Sequence, residues 1–340
     1  MKNRQIQLAS RPEGEPKLTD FRLAESEAPA PKDGEVLLRT LWLSLDPYMR
    51  GRMSAAKSYV KPVEIGETMV GGTVSEVVES RHKDFKKGDI VASMVGWQDY
   101  ALSDGSMLRK LDPKIAPIST ALGVLGMPGM TAYFGLSEIG KPKAGETVVV
   151  SAASGAVGSI VGQIAKLKGC RTVGVAGGPE KCRYVVSELG FDACVDHRAA
   201  DLPAKLTEAC PKGVDVYFEN VGGATWSAVL PLFNNYARVP VCGLIAHYND
   251  TALPSGPDRT PLLMRAVLSK RLTLRGFIVF DFFGRAEEFY RDMGGWVRDG
   301  KIKYREDIIE GLEKAPAGLI GMLKGKNFGK LLVKVAPASS

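Results

Sequence analysis

Apolar residues change their spacing part-way along this chain, dividing it into two textures. In the first they come in short runs separated by turn residues. Val36 to Leu43 is an extended apolar-rich stretch, and Met69 to Val78 carries Gly71-Gly72 inside a β-branched run. Phe85-Lys86-Lys87-Gly88-Asp89-Ile90-Val91 reads as a turn feeding a strand. A glycine pair within such a run predicts a bulge or a close approach of another part of the chain. Turn residues at short intervals predict a small β-rich barrel.

From about residue 145 strand-like runs alternate with stretches of helical period. Val148-Val149-Val150 predicts a buried strand, and Val157, Ile160, Val161, Ile164 and Leu167 follow at helical spacing. Arg171 to Ala176 predicts a second strand, Glu180 to Leu189 a second helix and Ala193-Cys194-Val195 a third strand. Val214 to Phe218, Ala237 to Cys242 and Leu272 to Phe277 predict three more. Strands alternating with helices pair in parallel through right-handed crossovers, so the expected class is α/β, a doubly wound parallel sheet beside a β-rich domain. Gly329 to Val335 predicts a last strand that returns to the first domain. Asn249 to Pro261, rich in Pro, Gly, Ser and Asp, predicts a mobile surface loop and a candidate lid.

Composition narrows the picture. A chain of 340 residues favours two domains over one core. No apolar run reaches the roughly 18–20 residues of a membrane span, and Met1-Lys2-Asn3-Arg4-Gln5 leads into polar sequence, so neither a membrane anchor nor a secretion signal is expected. The cysteines are Cys170, Cys182, Cys194, Cys210 and Cys242, an odd number without a CxxC pair, which predicts reduced thiols and a cytoplasmic location. The net charge of +7 is spread along the chain without a long basic run, so nucleic acid is not the expected partner, whereas an anionic cofactor suits it.

Ala153-Ser154-Gly155-Ala156-Val157-Gly158 follows a predicted strand and opens a predicted helix, the AxGxxG form of the dinucleotide-binding turn. Gly155 would let the backbone approach a pyrophosphate, Gly158 would let helix and strand pack closely, and the helix N-terminus would offer N–H groups to the phosphates. The competing reading is a tight turn with no ligand. An NAD site usually has Asp or Glu at the end of the second strand. Here that place reads Val175-Ala176-Gly177-Gly178, with Lys181 one turn later and Arg198 past the third strand. A missing acid and nearby cations favour NADP(H); taken singly, each cation reads equally as a solvated surface charge.

A zinc site is not expected. Residues 1–169 contain no cysteine and only one histidine, His82, while His197 and His247 lie far along the chain. The Cys and His donors of a zinc alcohol dehydrogenase cannot be assembled from that inventory. A conjugated carbonyl is the easier hydride acceptor without a Lewis acid, because its charge spreads into an enolate.

Several motifs in order carry a family resemblance over nearly the whole chain: Leu45-Asp46-Pro47-Tyr48-Met49-Arg50, Met127-Pro128-Gly129-Met130-Thr131-Ala132-Tyr133, Ser151 to Gly158, Glu219-Asn220-Val221-Gly222-Gly223, Gly276-Phe277-Ile278-Val279 and Gly325-Lys326-Asn327-Phe328-Gly329-Lys330. The chain resembles the zinc-free branch of the medium-chain dehydrogenase/reductases, which holds prostaglandin reductases, leukotriene 12-hydroxydehydrogenases, plant double-bond reductases and curcumin-reductase-like enzymes. The resemblance implies a GroES-like substrate domain over 1–125 completed by 307–340, a Rossmann NADP(H)-binding domain over 126–306, and a homodimer. It places Met127 and Thr131 at the nicotinamide end, with Cys242, Phe277 and Val279 flanking the ring. It also places Gly155, Ala156, Val157 and Gly158 at the pyrophosphate, Lys181 at the 2′-phosphate, Asn220 at the ribose or phosphate region and Asn327 on the C-terminal side. His197 stands where the family often has Tyr near the 2′-phosphate, beside Arg198; its imidazole would add a pH dependence. Tyr248 matches the tyrosine whose phenol donates to the enolate oxygen, and Tyr48 a substrate-pocket position. The alternatives are a loop anchor for Tyr248 and a core tyrosine for Tyr48. Asp46 and Arg50 are expected to form a local structural pair.

The activity so implied is NADPH-dependent reduction of the C=C bond of α,β-unsaturated ketones or aldehydes. A quinone oxidoreductase using the same cofactor site is the alternative, and a non-catalytic NADPH-binding sensor or structural protein is the alternative of another class.

Overall fold

The computed structural model describes residues 1–338, which divide into two compact units. The first comprises 1–123, 249–251 and the described residues from 306 to 338; the second comprises 124–248 and 252–305.

The first unit opens with β1 (Lys2–Leu8) paired antiparallel with β2 (Phe21–Glu27). Then come β3 (Val36–Ser44), α1 (Tyr48–Arg52), β4 (Thr73–Ser80), β5 (Ile90–Ser93), β6 (Tyr100–Ser103) and β7 (Arg109–Lys110). The second unit contains α2 (Met127–Phe134), β8 (Thr147–Ser151), α3 (Gly158–Leu167), β9 (Arg171–Ala176), α4 (Pro179–Ser187), β10 (Ala193–Asp196), α5 (Leu202–Ala209), β11 (Val214–Phe218), α6 (Gly223–Val229), β12 (Phe233–Val241), α7 (Thr260–Lys270), β13 (Thr273–Gly276) and α8 (Ala286–Arg298). The chain closes in the first unit with β14 (Glu306–Glu310), α9 (Ala315–Leu323) and β15 (Lys330–Lys334).

In the first unit β14, β15, β3, β4, β5 and β7 form one sheet in that order, and β6 adds to β3. The C-terminal strand therefore returns to the first unit: Val333 of β15 pairs with Leu43 of β3. Gly71 and Gly72 precede β4 rather than interrupt it. A Cβ on Gly71 would stand 2.9 Å from Leu43 Cδ1 and 3.0 Å from the Met49 methyl, so close approach explains the glycine. The two shifts of register lie instead between β3 and β4, at Leu37/Leu38 and Thr40/Trp42.

Asp46 and Arg50 do not pair. Asp46 is 5% exposed and needs a buried cation, which β15 supplies: Lys330 Nζ donates to Asp46 Oδ1 at 2.7 Å and to the Leu45 carbonyl at 2.7 Å. Ser44 Oγ donates to the other Asp46 oxygen. Arg50 turns elsewhere and donates to Asn249 Oδ1 at 3.0 Å and to the Gly14 carbonyl at 2.8 Å.

The second unit is built on a six-stranded sheet in the order β10-β9-β8-β11-β12-β13, parallel throughout, the doubly wound arrangement. The central strands read as unbroken apolar runs because helices cover both faces; Val148, Val149 and Val150 have no exposure. In α3, Ile160, Val161 and Ile164 are buried, but Leu167 is 45% exposed. The buried stripe stops one turn early because Leu167 ends the helix, just before the Lys168-Gly169 turn. The predicted loop over 249–261 is irregular up to its end, where Thr260 and Pro261 already belong to α7.

Candidate active site

The turn after β8 is shaped by steric exclusion. Ala152 holds a left-handed φ of +51°, unfavourable for a residue with a Cβ. A Cβ on Gly158 would stand 2.4 Å from the Ala152 oxygen and one on Gly155 3.2 Å from it, so no side chain fits at Gly158. The absence of a Cβ at Gly158 lets the start of α3 approach the backbone that leaves β8. Gly162, one turn on, is a second close approach of α3: a Cβ there would lie 1.8 Å from Phe191 Cζ. No side chain caps α3, whose first residue follows Ala156 and Val157. A bare turn facing an uncapped helix start is what a pyrophosphate requires.

At the end of β9 an imidazole and a guanidinium lie over glycine backbone. A Cβ on Gly177 would meet His197 Nε2 at 2.8 Å and Arg198 Nε at 3.4 Å; one on Gly178 would meet Arg198 Nη1 at 3.5 Å. Asp196 Oδ1 holds this geometry by accepting from Gly178 N at 2.9 Å and Arg198 N at 3.0 Å, and His197 N donates to the Ala176 carbonyl at 3.0 Å. Lys181 lies in the first turn of α4. Loss of hydration on the packed face of the His197 ring, then the charges of Arg198 and Lys181, hold its pKa below the usual 6.5 against the opposing pull of Asp196. This cradle, which a Cβ would fill and which has no acid at the end of β9, fits a 2′-phosphate.

The loop after β11 hangs on a residue that sequence reasoning passed over. Glu219 is 2% exposed, and its Oε1 accepts from Val221 N (2.7 Å), Gly222 N (2.9 Å), Tyr217 Oη (2.9 Å) and Ser151 Oγ (3.1 Å). Oε2 is buried without a hydrogen-bond partner among the described residues. Asn220 is tied to the end of β8, its Nδ2 donating to Ser151 O and its N to Ser151 Oγ, each at 2.8 Å. The next loop is stitched to this one. Cys242 N donates to Glu219 O at 2.9 Å, Ile245 N to Asn220 O at 3.2 Å and Ala246 N to Val221 O at 3.0 Å. His247, absent from the expected site, takes the Gly223 N–H on Nε2 at 3.1 Å. That bond uses the neutral ring with Nε2 unprotonated. Tyr248 follows, its phenol oxygen accepting from Leu244 N at 3.3 Å. Burial, then the Glu219 charge, pushes the Cys242 thiol up to about 12, so it remains protonated.

The other expected residues differ in what they can offer. Thr131 Oγ1 donates back to the Met127 carbonyl at 2.8 Å, one turn earlier in α2. Phe277 and Val279 are 8% and 7% exposed and belong to the core; the Phe277 ring packs edge-on to Phe218 with centroids 6.3 Å apart. This segment can therefore present main chain rather than side chains. Tyr48 and Asn327 belong to the first unit. Tyr48 starts α1 against the core there, and burial followed by the Asp46 charge raises its phenol well above the usual range. Asn327 Nδ2 donates to Gly329 O at 2.9 Å, closing the turn into β15.

The comparisons follow this geometry. Residues 4–111 match a family model described as the N-terminal domain of oxidoreductase, and residues 156–295 match one described as zinc-binding dehydrogenase. The residues do not fit a zinc ion: among the described residues no three His, Cys, Asp or Glu side chains are grouped to hold a metal. The chain is 60% identical over 336 residues to the NADPH-dependent curcumin reductase of Escherichia coli (strain K12), covering 98% of this chain and 97% of the relative. It is 46% identical to prostaglandin reductase 1 of Rattus norvegicus, covering 95% and 96%. The crystal structure of CurA in complex with NADPH from Vibrio vulnificus superposes with a TM-score of 0.95 at 56% identity, covering 98% of this chain and 99% of that one.

Proposed function

The chain belongs to the medium-chain dehydrogenase/reductase family, in its curcumin reductase and prostaglandin reductase 1 branch, and from that membership we infer an NADPH-dependent reductase of the C=C bond of α,β-unsaturated ketones and aldehydes. The observation that carries the reading is the turn at the end of β9, where His197 and Arg198 lie over Gly177-Gly178 and no acid opposes a 2′-phosphate. The pyrophosphate would lie on the bare turn of Gly155, Ala156, Val157 and Gly158. Lys181, His197 and Arg198 would hold the 2′-phosphate, and Asn220 the ribose region. Met127, Thr131, Cys242 and the main chain of Phe277 and Val279 would border the nicotinamide, and Asn327 would anchor it from the C-terminal side. When bound, the cofactor supplies the hydride.

The protein's own part is to hold and polarise the carbonyl. Tyr248 would donate its O–H to the carbonyl oxygen as charge develops there. A phenol that already accepts the Leu244 N–H donates more strongly, because chained hydrogen bonds polarise one another. Cys242, kept protonated, adds no competing nucleophile toward an electrophilic enone. Tyr48 would border the substrate, and no covalent intermediate with the enzyme is needed.

The test is NADPH oxidation across alkenals, aryl enones and benzoquinones, repeated with NADH. Turnover of enones above quinones, with NADPH preferred, supports the reading. Quinone preference overturns the substrate class, and tight NADPH binding without turnover makes the protein a sensor. Tyr248→Phe is expected to lower kcat about 10–100-fold, the usual loss for one oxyanion donor; an unchanged kcat removes Tyr248 from the chemistry.

A cytoplasmic homodimer completes the proposal. Among the described residues no helix is long and apolar enough to cross a membrane. The free edge of β13, with Leu262, Met264 and Leu268 of α7 exposed, supports pairing of two copies. A monomeric mass by light scattering would refute it.

A further inference from the structure

Five free cysteines are present, and two of them meet. Cys182, in α4, and Cys194, in β10, are twelve residues apart in sequence and their thiols face each other where α4 packs on β10, within hydrogen-bonding reach and beside the Ala176 backbone. Gly174 makes the room: a Cβ there would stand 3.2 Å from Cys194 Sγ. The pair is next to the cradle along the chain in three places. Lys181 precedes Cys182, Gly177 follows Ala176, and His197 lies three residues beyond Cys194.

The two thiols are unequal. Cys182 is partly exposed, and the hydrogen bond from Cys194 favours its thiolate. Sharing that bond and then burial keep the Cys194 proton in place. Burial holds Cys170, Cys210 and Cys242 protonated as well. Cys182 is therefore the thiol most ready to act as a nucleophile.

We propose that Cys182 and Cys194 form a peroxide-oxidisable dithiol whose closure to a disulfide weakens binding of the 2′-phosphorylated cofactor. The Cys182 thiolate attacks one peroxide oxygen, the O–O bond breaks, and with one proton taken up the products are Cys182 sulfenic acid and water. The Cys194 thiol then attacks that sulfur, the S–O bond breaks, and its proton leaves with the hydroxyl as a second water. Both cysteines are oxidised by two electrons in total, and the peroxide is reduced. Drawing the sulfurs from hydrogen-bonded contact to a bond of about 2.05 Å pulls the first turn of α4, with Lys181, toward β10. The cradle over Gly177-Gly178 then changes shape.

The binding half of this inference rests on the NADPH reading above; the chemical half does not. The test takes the full chain, reduced and desalted, and treats it with stoichiometric hydrogen peroxide. Expected are loss of two thiols per chain, a peptide pair linked through Cys182 and Cys194 in a non-reducing digest, and a KM for NADPH raised about five-fold or more, restored by dithiothreitol. Cys182→Ser and Cys194→Ser enzymes should keep the untreated KM and lose the response. Oxidation at Cys170, Cys210 or Cys242 in place of the pair, or Cys182 sulfinic acid without a link, overturns the dithiol. A quantitative link with an unchanged KM overturns its effect on the cofactor. Absence of NADPH turnover before any peroxide is added would instead count against the NADPH reading, and the peptide map is independent of it.

Discussion

Removing the Glu219 carboxylate tests whether the loop bearing Asn220 and its neighbour bearing Tyr248 are one preorganised body. In Glu219→Ala, four donors lose their shared acceptor. Ser151 Oγ keeps an alternative in the Phe218 carbonyl at 3.1 Å, which leaves Tyr217 Oη, Val221 N and Gly222 N stranded. A buried donor without a partner costs about 1–3 kcal/mol, and water entering the space left behind recovers part of that. The expected destabilisation is about 3–5 kcal/mol, read as a lower urea midpoint at unchanged m. Glu219→Gln keeps Oε1 as acceptor and places an amide at the buried Oε2 position, where no partner waits; its cost should be about 1–2 kcal/mol.

The functional consequence separates bracing from filling. Glu219 O also accepts from Cys242 N and Gly243 N, and the two loops share three further bonds, so the Ala variant should loosen both together. At a temperature where the variant remains folded, kcat should fall more than ten-fold, whereas the Gln enzyme stays within about three-fold. An Ala variant within about 1 kcal/mol of the parent in stability and with unchanged kcat would refute the reasoning, since a surface carboxylate behaves that way.

Lys181→Ala and Arg198→Ala should each raise KM for NADPH about ten-fold, one charge-assisted bond at a largely exposed site, and leave KM for NADH within two-fold; equal effects on both cofactors would move the 2′-phosphate elsewhere. The free enzyme's His197 has a pKa below 6.5, and a facing phosphate would raise it. The complex then binds the extra proton, so NADPH affinity should rise as pH falls from the bound-state pKa toward the free one, with a flat profile for NADH or for His197→Phe. For stability of the free protein the sign is opposite. The depressed folded pKa makes the contribution of His197 full above 6.5 and lost as pH falls through the folded value, visible as a lower Tm in the parent than in His197→Phe at acid pH. Lys330→Met strands the Asp46 charge at 5% exposure and should cost about 3–5 kcal/mol in urea titration, with most of it returned by adding Asp46→Asn; additive losses would show that the two do not act as a pair.

The reach of the sequence can be judged from which residues depend on near neighbours and which on distant ones. β9 and β11 begin and end where the apolar runs do, because a buried parallel strand needs apolar residues on both faces and the turn residues mark its ends. The bare turn at Gly155 and Gly158 was legible for the same local reason. The missing acid after β9 was legible too, since it needs only the knowledge that a strand ends there. Leu167 lies in the helix that its spacing predicts yet is exposed, because periodicity marks a helix face but not how far the packing beneath it extends. Asp46 was misassigned because spacing offered Arg50 four residues on, while the partner that burial demands, Lys330, lies 284 residues away.

Glu219 and His247 share a further reason for being missed. Each accepts from backbone N–H groups, and a backbone partner leaves no mark in the residue types opposite it. Glu219 looked like one acid in an Asn-Val-Gly-Gly motif, yet it accepts the N–H groups of Val221 and of Gly222, whose left-handed φ is +78°, which would otherwise lack partners. One signal could have found it: an acid directly after a run as apolar as Val216-Tyr217-Phe218 is either costly or already hydrogen-bonded, and burial near a glycine pair favours the second. The same logic makes Asp196 the acid to watch at the cofactor end. It stands one strand away from where an acid would select a free ribose hydroxyl, and its Oδ1 is occupied by Gly178 and Arg198 N–H groups. On the proposed reading its charge would therefore hold the cradle together instead of opposing a 2′-phosphate. Asp196→Asn should then weaken NADPH binding, although it removes a negative charge from an anion site, and tighter binding by that variant would reverse the assignment.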